Sequence, residues 1–315
     1  MPAHPASTAF LMSARPPLVI WLVSDGKPGH VNQSVGLAEA LARATPAEIE
    51  QLPALSPLRA WAAWLARRFP SAPASSPDLI IGAGHATHAT LLAAQRAHGG
   101  RTVVLMKPSL PRRWFDLCIV PEHDGVKADA HTLVTAGALN RVRPAATRDP
   151  QRGLLLIGGP SAHFDWDTDA IAVQIRSIVA RTPETQWTLT TSRRTPEDFV
   201  ATLSPAANLA VVPHSETPPD WLPAQLVQSA TVWVTPDSAS MLYEALTAGA
   251  DVGVFDLPVR PASRIAHGVA QLADTYRVAR FVTWCAEGQL HPNTQPLAEA
   301  DRCAAWILEW LKKEN

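Results

Sequence analysis

Short apolar runs recur along the first half of the chain, and each is followed by a turn and then by residues with helical spacing. Runs that are apolar throughout are typical of strands buried on both faces, as in a parallel sheet. The segment from Asn32 places Val35, Ala38 and Leu41 on one side of a helix. The predicted strands of this half are 18–23, 79–81, 102–106, 117–120 and 132–135.

The same alternation restarts in the second half, where the predicted strands are 153–157, 187–191, 209–212, 231–234 and 252–255. Helical patterns separate most of them, including 240–248 and a stretch with Ile171, Ile175 and Ile178 on one face. Strands that alternate with helices predict an α/β fold with parallel, doubly wound sheets and right-handed crossovers. A last amphipathic helix is expected over 298–312.

The two series of strands are separated by a segment with a different composition. Residues 141–152 contain four arginines and two prolines and show no apolar periodicity, which is typical of a linker. It divides an N-terminal domain, 17–140, from a C-terminal domain, 153–296, each Rossmann-like in pattern. We expect residues 1–16 to be a flexible leader and residues 297–315 to form a C-terminal helical segment.

Composition limits the classes of function. The chain has 315 residues, of which 47% are hydrophobic and 17% charged, enough for two packed domains. A net charge of -1 gives no electrostatic basis for non-specific nucleic-acid binding. Three scattered cysteines favour neither a disulfide framework nor a zinc cluster, so a cytoplasmic, reducing compartment is expected. No apolar stretch has membrane-spanning length, although 11 tryptophans allow a peripheral membrane contact.

The loop after the first predicted strand is the first candidate site. It runs from Ser24 to His30 and contains Asp25, Lys27 and two glycines. Ligands bind at the carboxyl edge of open parallel sheets, and glycine lets the backbone approach them. His30 could act as a neutral base on a sugar hydroxyl, with Asp25 orienting it or binding substrate. The alternative is a polar turn with a helix-capping residue.

Other polar loops follow the remaining strands of the first half. Gly84 and His85 follow 79–81 and are candidates to face a ligand, whereas a metal site shared with His88 lacks further ligands. Lys107 follows 102–106 and could meet a phosphate or an acidic acceptor. Glu122 and His123 follow 117–120 at the same predicted edge. Ordinary solvated loops remain the alternative for all of these residues.

Loops of the second half carry groups that suit a diphosphate. Gly158 and Gly159 end the first strand and precede Ser161, so that free backbone N–H groups could hold phosphate. The Walker lysine and the full G-x-G-x-x-G spacing are absent. Ser192 and Arg193 follow 187–191 and combine a hydroxyl with a fixed cation. Solvent exposure or salt bridging between domains is the alternative role for this arginine.

The segment 235–245 is the most informative of the second half. A strand leads into a proline turn and then into a helix that opens with Asp237, Ser238 and Ser240. The first turn of a helix offers N–H donors and a positive dipole end to an anion. Glu244, one turn further, could accept both hydroxyls of a ribose. The alternative is a capped helix with a solvated Glu244.

Seven motifs in order resemble those of bacterial members of the mitochondrial fission "elongated mitochondria" family. The resemblance extends roughly over residues 19–265. The motifs are 24–33, 82–85, 107–109, 121–124, 158–161, 191–196 and 235–238. This family in turn looks like GT-B glycosyltransferases, such as the peptidoglycan N-acetylglucosaminyl transferase. The Gly29-His30 step resembles the first loop of that enzyme, and residues 240–249 resemble its donor-site helix, which implies a ribose contact for Glu244.

Kinship with GT-B enzymes implies two Rossmann-like domains facing a cleft, with a nucleotide-sugar donor in the C-terminal domain and an acceptor in the N-terminal domain. It also implies no metal and no further cofactor, and a final helix that crosses back to the first domain. The expected activity is therefore glycosyl transfer to an envelope glycan or lipid-linked acceptor. Sugar-nucleotide epimerisation or hydrolysis, and a non-catalytic adaptor that keeps the fold, are the alternatives.

Overall fold

A computed structural model describes residues 16–70, 72–218, 220–261, 263–275 and 277–313. Residues 1–15, nearly all of the predicted leader, lie outside these ranges. The described residues form two six-stranded sheets in which neighbouring strands are parallel. This confirms the predicted α/β fold with two Rossmann-like halves.

The first sheet has the strand order β2-β1-β3-β4-β5-β6. Its strands are β1 Leu18–Ser24, β2 Ala47–Pro53, β3 Leu79–Ala83, β4 Arg101–Leu105, β5 Leu117–Pro121 and β6 Thr132–Thr135. The helices among them are α1 Pro28–Ala44, α2 Pro57–Ala66 and α3 His88–His98. Side chains of β1 alternate between two cores: Ile20 and Leu22 pack towards α1, and Trp21 and Val23 towards α3.

The second sheet has the strand order β12-β11-β10-β7-β8-β9. Its strands are β7 Asp149–Leu156, β8 Gln186–Thr190, β9 Leu209–Val212, β10 Ser229–Val234, β11 Asp251–Val254 and β12 Ala279–Arg280. The helices are α4 Thr168–Arg181, α5 Trp221–Gln228, α6 Ala239–Ala248, α7 Arg264–Asp274, α8 Phe281–Glu287 and α9 Glu299–Lys313. Helices α5 and α6 cover one face, and α4 and α8 cover the other.

Helix α9 belongs to the core of the first sheet although it ends the chain. Cys303, Ala304 and Ile307 are buried together with Leu37 of α1 and Ile20 of β1. The chain therefore crosses from the second half back to the first after residue 298. The charged face of α9 remains in solvent, where Lys312 pairs with Glu309. Within the described residues, no helix is long and apolar enough to cross a membrane.

Some elements differ from the sequence-based prediction. β7 begins at Asp149, opposite Ser229 of β10, so the last residues of the predicted linker belong to a strand. β2 was not predicted because it is an edge strand in which Leu52 alone is buried. α2 was not predicted either, since its only buried residues are Ala60 and Ala63.

Candidate functional site

His30 lies at the carboxyl edge of the first sheet, in the first turn of α1. Pro28 starts this helix, and its fixed φ suits that position. Nδ1 of His30 lies 2.9 Å from Oδ2 of Asp25, whose side chain is only 6% exposed. A carboxylate accepts but does not donate, so Nδ1 carries the hydrogen and Nε2 is left as the basic nitrogen.

Asp25 is held in its ionised form. Burial opposes ionisation, but hydrogen bonds from His30 and from the Lys27 backbone N–H keep the pKa of Asp25 below its ordinary value. The Lys27 ammonium adds a weaker attraction at 3.9 Å. A fixed negative charge beside His30 stabilises the imidazolium that would form after proton uptake. In this geometry Asp25 contacts His30, which is one of the two roles that the sequence left open for it.

The backbone at Gly84 packs directly against the His30 ring. Gly84 has φ +82°, and a Cβ there would collide with Cε1 and Nδ1 of His30. The loops after β1 and β3 therefore meet tightly only because residue 84 is glycine. We call Asp25, His30 and Gly84 the His30 cluster.

The other predicted residues of the first half lie around this edge without joining the His30 cluster. His85, Lys107 and Glu122 are exposed. His88 points into the core, where it contacts the Phe115 ring and Ser109. Burial, aided by the nearby His85, lowers the pKa of His88 to about 4. The described residues contain no group of three or more potential ligands arranged for a metal ion.

His123 contacts the second half of the molecule. Its ring stacks on Tyr243 of α6 at 6.0 Å, and its Nδ1 lies 3.3 Å from the tyrosine hydroxyl. An open pocket of about 660 Å³ lies between His123 and the segment that leads into α7, and Arg260 and His267 line it. His123 is thus placed at the boundary of the two halves.

The Gly158–Gly159 loop is satisfied by the protein itself. The N–H of Gly158 donates to Oγ1 of Thr235 at 2.7 Å, and the N–H of Gly159 donates to Oδ2 of Asp237 at 3.0 Å. The expectation that these two N–H groups are free for phosphate therefore does not hold in this structure. A side chain at position 158 would collide with Asp237, so packing requires glycine here.

Asp237 is the centre of the second cluster. Its carboxylate is 1% exposed and forms an ion pair of 2.7 Å with Arg194. Its other oxygen, Oδ1, is buried and has no hydrogen-bond partner among the described residues. Ser192 completes the cluster by donating to the carbonyl of Gly158 at 2.9 Å. We call Gly158, Gly159, Ser192, Arg194 and Asp237 the Asp237 cluster.

Arg194 forms the ion pair with Asp237, whereas the role predicted for Arg193 is phosphate binding. Arg193 is exposed and forms no ion pair with any described carboxylate. The sequence places both arginines after β8, and only the direction of each side chain distinguishes them. Ser161 also has a local role, since its Oγ accepts from the N–H groups of His163 and Phe164 at 3.1 and 3.3 Å.

Helix α6 begins beside the Asp237 cluster. Ser238 is its N-cap residue, buried but without a side-chain capping bond, and Ser240 is exposed. Glu244 is buried and not solvated. Its Oε1 accepts a hydrogen bond of 2.7 Å from Asn32 of α1. Burial raises the pKa of Glu244 to about 7, partly offset by that bond.

The two clusters are connected through their helices. α1 starts at the His30 cluster and α6 starts at the Asp237 cluster, and Asn32 in the second turn of α1 is bonded to Glu244 in the middle of α6. Asn140 adds a bond of 3.0 Å to Thr247 in the same contact. The carboxyl edges of the two sheets thus face each other across the α1–α6 contact.

Comparison with known sequences then decides the family. The family model described as mitochondrial fission ELM1 matches residues 28–311. The chain belongs to the mitochondrial fission ELM1 family. The matched range includes both clusters except Asp25. No curated protein sequence matches the chain.

Solved structures with the same fold include enzymes that act on sugar nucleotides and sugars. A putative UDP-N-acetylglucosamine 2-epimerase from Listeria monocytogenes aligns at 12% identity over 95% of this chain and 97% of its own, with a TM-score of 0.63. A UDP-GlcNAc 2-epimerase from Neisseria meningitidis, bound to UDP-GlcNAc, aligns at 12% over 95% and 100%, with 0.52. The glycosyltransferase SnogD from Streptomyces nogalater aligns at 15% over 94% and 100%, with 0.52. These similarities establish the GT-B fold for this ELM1-family chain.

Proposed function

We propose that this ELM1-family protein is a GT-B-type glycosyltransferase. It transfers a sugar from a nucleotide-sugar donor, without a metal ion, to an envelope glycan or lipid-linked acceptor. The observation that carries the proposal is the Asp25–His30 pair, with a contact of 2.9 Å at the sheet edge. A fixed carboxylate that orients a histidine is the arrangement a general base requires.

In the proposed reaction, Nε2 of His30 removes the proton of an acceptor hydroxyl. The acceptor oxygen forms a bond to the anomeric carbon, and the bond from that carbon to the donor diphosphate breaks. Asp25 stabilises the imidazolium that results, because its own pKa is held below the ordinary value. A hydrogen bond to a charge that develops in the transition state typically lowers the activation free energy by about 3 kcal/mol.

The donor is proposed to bind where α6 begins. The N-terminus of α6 lies next to Ser238 and Ser240 and offers backbone N–H groups to a diphosphate. Arg193, which is exposed, is available to the same anion. The hydroxyls of Ser238 and Ser240 add hydrogen-bonding groups at the same helix start. These groups favour an anionic ligand.

The experiment is a binding and turnover assay with UDP-, GDP-, CMP- and ADP-sugars. Donor binding is measured by thermal shift, and products are identified by mass spectrometry with lipid and glycan acceptors. We expect His30→Ala to keep the thermal shift and to lose turnover by a factor of about 100 or more. His131→Ala is the control, because His131 precedes β6 at the opposite edge of the sheet. Equal turnover in wild type and His30→Ala would contradict the proposal.

A non-catalytic adaptor is the second candidate, and one observation favours it. The N–H groups of Gly158 and Gly159 are already bonded within the protein, and so is Oε1 of Glu244. A site of this kind could persist as structure after catalysis is lost. No thermal shift with any of the four donor classes would support the adaptor, whereas a product with an inverted hydroxyl would identify an epimerase.

A further inference from the structure

Helix α2 turns its large apolar side chains away from the protein. Leu58 is 87% exposed, Leu65 is 76% exposed and Trp61 is 39% exposed. These residues are three and four positions apart, so they share one face of the helix. The opposite face carries Ala60 and Ala63, which are buried. The usual polarity of a surface helix, with its apolar face towards the core, is thus reversed.

The side chain of Trp61 packs against a second tryptophan of the same helix. Trp61 makes an edge contact with Trp64 at 6.0 Å. Trp64 is in turn covered by the guanidinium of Arg96, 4.0 Å from the ring centroid. The two indole rings, in contact with each other and with the Arg96 guanidinium beside them, form a preorganised patch. Indole rings of this kind are enriched where protein meets the headgroup layer of a membrane.

The charged residues of α2 and of the segment that follows it have one sign. From residue 56 to residue 77 the chain has three arginines, Arg59, Arg67 and Arg68, and no acidic residue. None of the three forms an ion pair with a carboxylate of the described part of the chain. Arginines without protein partners beside exposed leucines are suited to a surface that is both apolar and anionic.

A groove adjoins the same helix. It has a volume of about 380 Å³, and most of its lining is apolar. The residues that form it include Leu52, Leu55, Arg59, Ala62 and Phe69. The segment leading into α2 is bonded to the edge that carries the His30 cluster, since the N–H of Ala54 donates to the carbonyl of Ser24 at 2.8 Å. The exposed face therefore begins next to the carboxyl edge of the first sheet.

We propose that the face of α2 formed by Leu58, Trp61 and Leu65 docks on an anionic lipid bilayer. The two leucines and the indole enter the interfacial layer, and Arg59, Arg67 and Arg68 bind lipid phosphates. The positive charge of these arginines favours an anionic bilayer over the apolar surface of a second protein. The proposal does not depend on glycosyl transfer, because an adaptor would use the same face.

The test is co-sedimentation of the full chain with vesicles of phosphatidylcholine, with and without about 30 mol% phosphatidylglycerol. Wild type is expected to bind the anionic vesicles and to dissociate as the salt concentration rises from about 0.05 to about 0.5 M. The double variant Leu58→Gln/Leu65→Gln is expected to bind at least about tenfold more weakly. Val173→Gln/Val282→Gln is the matched control, since both valines are more than half exposed on the other half of the molecule.

A second variant separates charge from folding. Arg67 ends α2 with φ 51°, a conformation that glycine adopts more easily than arginine. Arg67→Gly therefore removes a cation while the helix end keeps its shape, and anionic vesicle binding is expected to fall about threefold to tenfold. Its thermal stability should equal or exceed that of wild type.

Three results would overturn the proposal. The first is that wild type does not bind anionic vesicles at low salt. The second is that the double leucine variant binds them as well as wild type does. The third is a concentration-dependent dimer in sedimentation velocity that the leucine variant abolishes while vesicle binding is unchanged, which would assign the face to a second copy of the chain. Loss of vesicle binding leaves donor binding and turnover with a soluble acceptor untouched, so the two proposals fail independently.

Discussion

Asn32 of α1 donates a hydrogen bond of 2.7 Å to Glu244 of α6, and this bond joins the two halves of the protein. The carboxyl group is buried at the contact between the two helices. Each helix begins at one of the two clusters, so the bond connects the elements that carry them. A carboxyl group in this position makes that contact sensitive to pH.

Because of Glu244, the free energy of unfolding is expected to fall as pH rises from about 4.5 to about 7. Burial raises the pKa of Glu244 from its ordinary value of 4.5 to about 7 in the folded protein. Within that window the unfolded chain has released the proton while the folded chain still holds it, so a rise in pH favours unfolding. The contribution to the free energy of unfolding is about 3 kcal/mol across the window. Urea unfolding at several pH values measures it.

Glu244→Gln is the control for this pH effect. A glutamine keeps the acceptor oxygen for Asn32 but cannot ionise. The variant should therefore lose the Glu244 contribution to the pH dependence, and it should be more stable than wild type at pH 8. An unchanged slope between pH 5 and 7 in the variant would show that Glu244 does not titrate there.

Gly84→Ala is expected to reduce turnover by a factor of about 100, because a displacement of the base by about 1 Å has that effect. The added Cβ would overlap the His30 ring. Gly99→Ala is the matched control: Gly99 also has positive φ, +76°, but nothing lies within 4 Å of its Cβ position. Both variants carry the backbone strain, and only the first displaces His30. Steady-state kinetics would reveal equal activities if His30 were not the base.

Arg194→Ala should destabilise the second half by about 1–3 kcal/mol, because it leaves the buried carboxylate of Asp237 without its cation. The exposed position of Arg194 keeps this value below that of a fully buried pair. Arg193→Ala removes the neighbouring charge, which has no ion-pair partner among the described residues, and should change stability by less than about 0.5 kcal/mol. Thermal unfolding compares the two. Equal losses would contradict the assignment of Arg194 to the Asp237 cluster.

Ile307→Ala should lower the free energy of unfolding by about 2–5 kcal/mol. Ile307 is fully buried in the core of the first sheet although α9 follows the second half in sequence. Glu309→Ala, two positions on, serves as control and should have little effect, since this side chain is exposed and pairs with Lys312 at the surface. Denaturant unfolding followed by circular dichroism measures both. A small effect of Ile307→Ala would show that α9 is dispensable for the first core.

The alternation of apolar runs and helical patterns was enough to predict the α/β fold, because strands buried on both faces must be apolar throughout. Ile20 to Val23 and Leu154 to Leu156 carry that pattern plainly. The same reasoning could place Asp25 and His30 at a sheet edge, since loops after parallel strands gather there. It did not predict β2, in which Leu52 alone is buried, or α2, which buries only Ala60 and Ala63.

Only the tertiary structure decided which of the candidate groups already have partners. The sequence presents Gly158, Gly159 and Glu244 as available to a ligand, but the folded chain bonds them to Thr235, Asp237 and Asn32. Those partners are far away in the sequence, so no local pattern encodes the contacts. The sequence determined the elements and their order, because burial imposes a period on each strand and helix. The pairing of polar groups came from the packing of two sheets, which brings together residues that no spacing along the chain connects.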